Sequence, residues 1–189
     1  GDKSLSKRDF SRVIEPLKLF GANIKSKKNT LPVEILGTQF LRPINYLENK
    51  GSAQCKSAVM LAALQTPGIT KLKARKSRNH TEILFKYLNI PMKIKSKGEY
   101  DLIELKGLNQ FSSFDYQIPG DISSSAFFIV LTLLSRKSKI VIKKININER
   151  RIGIVKILNA MNSNIIFKNK KIYKGEKIAD IYVKSVNKF

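Results

Sequence analysis

Three helix-like segments of this chain end at Gly21, Asn89 and Asn162, and each leads directly into a strand-like one, so the same punctuation recurs about every 70 residues. This repeat constrains the fold more than any other feature, because a unit that short cannot bury an apolar face alone and must pack on its copies. Within one period the order is strand, helix, strand, helix, strand, strand, at 44–47, 52–65, 69–74, 79–88, 92–96 and 102–106. A second copy runs through 114–118, 123–135, 140–145, 150–161, 165–168 and 181–183. Half a copy precedes both, a helix at 7–20 with two strands, the first at 23–26 and the second around Val33 and Ile35. The fold class is therefore α/β (α+β), with one half unit and two full βαβαββ units.

Local signals agree with these boundaries. Gly21 and Asn89 suit left-handed helix ends, Asn79-x-x-Glu82 can form a capping box, and Pro67-Gly68 and Gly107 punctuate turns. Val13, Ile14, Leu17 and Phe20 recur at helical spacing, and Pro16 is expected to bend that helix without ending it. The helix at 52–65 is apolar around most of its circumference, which predicts burial between sheets.

A formal net charge of +22, from 36 Lys and Arg against 14 Asp and Glu, invites a nucleic-acid reading. The pattern argues against one. Lys25, Lys27, Lys28, Lys93, Lys95, Lys97, Lys168, Lys170 and Lys171 are scattered at strand edges and turns, where they discourage edge-to-edge association. A single cysteine forms no internal disulfide, and with a single histidine it cannot complete an ordinary structural zinc site. The longest apolar stretch, 126–134, is too short to cross a bilayer and is interrupted by Thr132. These observations predict a soluble cytoplasmic protein with no membrane partner and no metal.

Two segments have the character of helix starts built for an anion: Gly51-Ser-Ala-Gln-Cys-Lys-Ser-Ala58 and Ser77-Arg-Asn-His-Thr-Glu82. A helix N-terminus leaves backbone N–H groups without partners and carries the positive end of the peptide dipole, so phosphate or carboxylate is favoured there. Ser52 and Ser57 add hydroxyl donors, Gln54 can donate and accept, and Arg78 offers a planar fork. A lowered thiol pKa at Cys55 is conceivable at such a site, but a small residue packed under the helix is the commoner role.

These segments also resemble the Ser-Ala-Gln-x-Lys-Ser-Ala and Ser-Arg-Asp-His-Thr-Glu segments of 5-enolpyruvylshikimate-3-phosphate synthases. Gly1-Asp-Lys-Ser-Leu-Ser-Lys-Arg8 is similar to that family's Gly-Asp-x-Ser-Leu-x-x-Arg-Pro, and Pro119-Gly-Asp-Ile-Ser-Ser-Ser-Ala-Phe-Phe128 to its Pro-Gly-Asp-x-Ser-Ser-Ala-Ala-Phe. Arg12-Val-Ile-Glu-Pro-Leu17 and Asn148-Glu-Arg-Arg-Ile-Gly153, like the family's Asn-Pro-x-Arg-Thr-Gly, extend the likeness through nearly the whole chain. Asp9, Asn79 and Glu149 depart from the family's Pro, Asp and Pro.

The resemblance implies two domains, each of three strand-helix units, closing on substrate in the cleft between them. Residues 1–118 would be one and a half units of the first domain and 119–189 the opening unit of the second, with Pro119-Gly120 as the crossover; read alone, that dipeptide is an ordinary turn. The implied reaction moves the enolpyruvyl group of phosphoenolpyruvate to shikimate 3-phosphate, with no cofactor and no metal. By motif, Ser52, Ala53 (through its N–H), Gln54, Ser77 and Arg78 would bind shikimate 3-phosphate, with Gln54 between the substrates and Arg8 on phosphoenolpyruvate. His80 would lie near the shikimate ring, although a lone histidine in a capping turn is more often a surface residue. Ser52 and Ser77 could equally be plain helix caps, and Arg8 a solvated charge. Family members are more than twice as long as these 189 residues, and the family segments that carry the catalytic acid and base have no counterpart here. A half-site that binds anions without turnover is the expectation, with self-association through uncovered repeat faces. A nucleotide-sugar enolpyruvyl transferase and a basic nucleic-acid module are the alternatives, the former disfavoured by the match of Ser77–Glu82 to the shikimate branch.

Overall fold

The computed structural model describes residues 2–185, which fall into two compact units, one within Gly1–Thr81 and Leu88–Ser112, the other within Glu82–Tyr87 and Ser113–Phe189.

The first unit opens with a single helical turn, α1 (Lys3–Ser6), capped by Asp2, whose carboxylate accepts the Leu5 N–H at 2.7 Å. The helix expected from residue 7 starts later. Asp9 accepts both the backbone N–H and the hydroxyl of Ser11 at 2.8 Å, holding a non-helical turn that delays α2 to Ser11–Leu19 and leaves Arg8 on the link. The helix runs past Pro16, which has no N–H to give the Arg12 carbonyl one turn earlier. Gly21 then closes it in the left-handed region at φ 109°, and Asn89 (φ 55°) and Asn162 (φ 62°) do the same at the later helix ends, so all three landmarks of the repeat share one backbone role.

An antiparallel pair follows, β1 (Asn23–Ser26) with β2 (Val33–Leu36). The main sheet of this unit is built from β3 (Asn45–Glu48), β4 (Ile69–Arg75), β5 (Met92–Lys97) and β6 (Tyr100–Lys106), in the order β3-β4-β6-β5. Only β3 and β4 are parallel, joined across α3 (Ala53–Leu64) as a crossover. Along β4, Thr70, Leu72 and Ala74 point inward and alternate with exposed neighbours, the pattern of a strand covered on one face. Helix α3 packs Val59, Met60 and Ala63 into the core beside β4 and β6. It is covered along one side and not between sheets: Leu61 stays exposed, while Lys56 is fully buried. Next comes α4 (His80–Tyr87), whose first two residues belong to this unit.

The second unit contains α5 (Ile122–Leu134), β7 (Lys139–Asn146), α6 (Gly153–Ala160), β8 (Asn164–Tyr173) and β9 (Glu176–Lys184), with strand order β7-β9-β8. Its core joins Ile122, Ile129 and Leu133 of α5, Val155 and Leu158 of α6, and Ile145, Ile165, Ile181 and Val183 of the sheet. This order matches β4-β6-β5, but the strand expected at 114–118 is absent. One parallel bridge, Gly120 to Ile145, stands in its place. Pro119 has no N–H for a ladder, the Gln117 N–H donates to the Tyr173 hydroxyl instead, and β7 carries an irregularity between Ile142 and Ile145 with Lys144 at φ 54°. The β8–β9 hairpin is longer than the sequence suggested, because its lysine-rich stretch conceals the alternation. Asp180 of the central strand holds both irregular neighbours, accepting the Lys144 N–H at 2.9 Å and the Asn169 side-chain amide at 2.8 Å.

Asp121 caps α5, accepting the N–H groups of Ser123 and Ser124, and pairs with Arg151 at 2.6 Å. Partial burial opposes its charge, but the Ser123 N–H, the Arg151 guanidinium and Ser124 outweigh this and hold the carboxyl below its ordinary 3.8. A depressed carboxyl contributes stability that is complete above the ordinary value and is lost as pH falls through the folded one. Asp121→Asn should therefore flatten the acid limb of melting temperature against pH below about 4, and an unchanged limb would contradict this role. A second expectation concerns Gly107, whose backbone runs so close to the Thr66 and Ala63 carbonyls that a Cβ would overlap both oxygens. Gly107→Ala should cost about 1–3 kcal/mol in denaturant unfolding, whereas Gly98→Ala, with open space around it, should lose only the smaller strain of its left-handed backbone.

Candidate anion-binding site

The parallel pairing of β3 with β4 brings their C-terminal ends to one edge of the sheet, with Glu48 opposite Ala74. The chain leaving each end begins a helix, so the starts of α3 and α4 come together although they lie far apart in sequence. A hydrogen bond of 2.6 Å between the hydroxyls of Ser57 and Thr81 ties the two directly. The approach to α3 is fixed from below by Glu48, 3 % exposed, whose Oε1 accepts the N–H groups of Lys50 and Ser52 at 2.9 and 3.0 Å.

Between these helix starts lies an open cleft of about 420 Å³, lined by Ala53, Gln54, Ser57, Ala58 and Leu61 from α3 and by Arg78, His80 and Thr81 from the other side. Of the residues expected at the site, Ala53, Gln54, Arg78 and His80 thus line one cleft, the first two from α3 and the last two from the opposite side. Ser52 is the N-cap of α3: its hydroxyl oxygen accepts the Cys55 N–H at 3.2 Å, which leaves the hydroxyl proton for another partner. Ser77 precedes Arg78 with its hydroxyl buried. Arg78 is exposed and, among the described residues, engages no hydrogen bond or ion pair. Arg8 is exposed on the link before α2 and does not line the cleft.

Ser57, whose hydroxyl the sequence offers as an anion donor, is instead engaged with Thr81. One contributor was missed by sequence reasoning. Arg12 donates from Nη2 to the Gln54 Oε1 at 2.8 Å, across 42 residues of sequence, a separation that no local spacing rule detects. Cys55 is buried beside them and its Sγ–H donates to the Arg12 carbonyl at 2.9 Å. Burial pushes this thiol up, against a smaller opposing effect of the Tyr46 hydroxyl. The lowered thiol pKa considered from sequence is therefore not found, and the group is a packed donor rather than a nucleophile. Burial and the adjacent Cys55 likewise push the Tyr46 phenol up to about 12.

The arrangement can hold an acceptor-rich ligand: free N–H groups at a helix start, one unengaged guanidinium and a carboxamide converge on a single cleft. Among the described residues no cluster of His, Cys, Asp and Glu suits a metal ion, and no helix is long and apolar enough to cross a membrane.

Comparison with known proteins identifies the scaffold. Residues 1–187 match the family described as EPSP synthase (3-phosphoshikimate 1-carboxyvinyltransferase). Among curated relatives, the 3-phosphoshikimate 1-carboxyvinyltransferase of Ruthia magnifica subsp. Calyptogena magnifica is 41% identical over 186 residues, covering 98% of this chain and 42% of the relative. That of Petrotoga mobilis is 38% identical over 189 residues, covering 98% and 43%. The solved EPSP synthase of Acinetobacter baumannii superposes with a TM-score of 0.80 at 37% identity, covering 97% of this chain and 41% of that one. The enolpyruvyl transferase NikO from Streptomyces tendae, at TM-score 0.66 and 14% identity, shares the fold. This chain spans about two fifths of the length of the curated relatives it matches. With its repeated βαβ units and paired helix starts, the chain belongs to the EPSP synthase family.

Proposed function

We propose that this chain is part of an enzyme that transfers the enolpyruvyl group of phosphoenolpyruvate to a hydroxyl of shikimate 3-phosphate, by addition followed by elimination of phosphate, and that the α3–α4 cleft binds the phosphate of shikimate 3-phosphate. The observation that carries this reading is the shared cleft itself, in which Gln54 and Arg78 from two separate motifs meet beside a helix start. The relatives named for this reaction favour it over a nucleotide-sugar transferase. In this role Ser52, the Ala53 N–H, Ser77 and Arg78 hold shikimate 3-phosphate, Gln54 stands between the two substrates, Arg8 serves phosphoenolpyruvate, and His80 lies near the shikimate ring. These residues bind and orient. The proton donor and the base of the reaction belong to family segments with no counterpart in these 189 residues. No cofactor is required, and the single cysteine suits a reducing cytoplasm.

We further read residues 1–118 as one and a half repeats of a first domain and 119–189 as the opening repeat of a second; the compact units differ from this, dividing at Ser112/Ser113 and grouping Glu82–Tyr87 with the later residues. Helix α5 exposes Phe127 (79 %), Phe128, Leu131 and Leu134. An apolar surface of that kind favours self-association. Sedimentation velocity should show a concentration-dependent rise in mass that Phe127→Glu suppresses, and a compact monomer at high concentration would remove this reading.

The binding role has its own test. Arg78→Ala should weaken shikimate 3-phosphate binding by about ten- to a hundred-fold, as expected for a charge-assisted hydrogen bond, while Lys95→Ala on the exposed strand β5 should leave the affinity within about two-fold. Equal losses from both substitutions would reduce the effect to net charge and refute the site.

A further inference from the structure

We propose that Arg12, which does not line the cleft, is a positioning residue for Gln54: it takes the carbonyl end of the Gln54 carboxamide and so leaves the amino end, a donor, for the anion. The proposal rests on the anion-binding reading above.

A glutamine exposed in the first turn of a helix can present either end of its side chain to a ligand, because the carboxamide rotates readily. An oxygen presented to phosphate would repel it. A guanidinium carries donors only, so the group facing Arg12 at 2.8 Å must be Oε1 and Nε2 must point elsewhere. Gln54 itself lines the cleft.

Arg12 is held for this task through its own backbone. In an unbroken helix its carbonyl would accept the N–H of residue 16, but that residue is Pro16. The carbonyl accepts the Cys55 Sγ–H at 2.9 Å instead. Main chain and side chain of Arg12 therefore grip two consecutive residues of α3, Cys55 and Gln54, and fix the rotation of α2 against the start of α3. The resulting specificity is for acceptor-rich ligands.

A double-mutant cycle on the full chain, read by calorimetric titration with shikimate 3-phosphate and with inorganic phosphate, separates this role from a general charge effect. Arg12→Met should weaken binding by about 3- to 10-fold, the size of one hydrogen bond, in the unaltered background, and should add nothing in Gln54→Ala, since Arg12 acts only through that side chain. Gln54→Glu, which keeps the tie to Arg12 but removes the donor, should abolish binding with the fold retained, and covers the case in which Arg12→Met does not fold. The Gln54 side-chain amide signals in a ¹H–¹⁵N spectrum should move in Arg12→Met without any ligand, and Arg12→Lys should restore part of the affinity. Equal weakening by Arg12→Met in both backgrounds, or amide signals that do not move, overturns the proposal while leaving the site intact. If neither probe binds the unaltered chain, the anion reading falls and this proposal with it.

Discussion

The parallel pairing of β3 with β4 is the constraint on which the candidate site depends. Four residue pairs, from Asn45 with Lys71 to Glu48 with Ala74, set two strand ends side by side. Each strand end leads into a helix start, and helix starts are where backbone N–H groups lack partners. An antiparallel arrangement of the same two strands would have sent them to opposite edges. The remaining strands are antiparallel and contribute a covered face, so the one parallel pair carries the geometry and the rest supply its support.

Around that pair the local chemistry is arranged so that few polar groups near α3 are wasted. Glu48 takes the N–H groups of Lys50 and Ser52, which would otherwise be unpaired in the approach to the helix. Pro16 leaves one carbonyl of α2 without its usual donor, and Cys55 supplies it. A proline that would weaken an isolated helix thereby leaves an acceptor that the neighbouring helix uses. The same thiol is pushed up by burial, which keeps it a donor and suits it to this structural use.

Most of the architecture was legible in the sequence because it rests on short-range signals. Gly21, Asn89 and Asn162 mark their helix ends through an intrinsic tolerance of the left-handed region, and all three adopt it. What was not legible depends on partners distant in sequence. The segment 114–118 has strand-like composition, but Pro119 and the bulge at Lys144 leave a single bridge at Gly120. The link before Ser11 is decided by Asp9, a position whose side-chain bonds compete with the helix. The motif residues of the candidate site could be picked out by type, whereas Arg12 could not, since nothing near it in sequence signals a bond to Gln54.

The two later copies of the repeat, the second without its first strand, use their equivalent positions in opposite ways. In the later copy the residue capping the helix is Asp121, and the arginine from the following loop, Arg151, reaches both its carboxylate and the Ser123 hydroxyl at 2.6 Å. The cationic fork is spent inside the protein. In the earlier copy the cap is neutral Ser52, and the corresponding loop arginine, Arg78, has no ion pair among the described residues. One carboxylate at the cap position decides which happens, because a helix start beside a guanidinium favours negative charge whether the chain or a ligand provides it. The same scaffold thus closes one helix start with its own carboxylate and leaves the other without one.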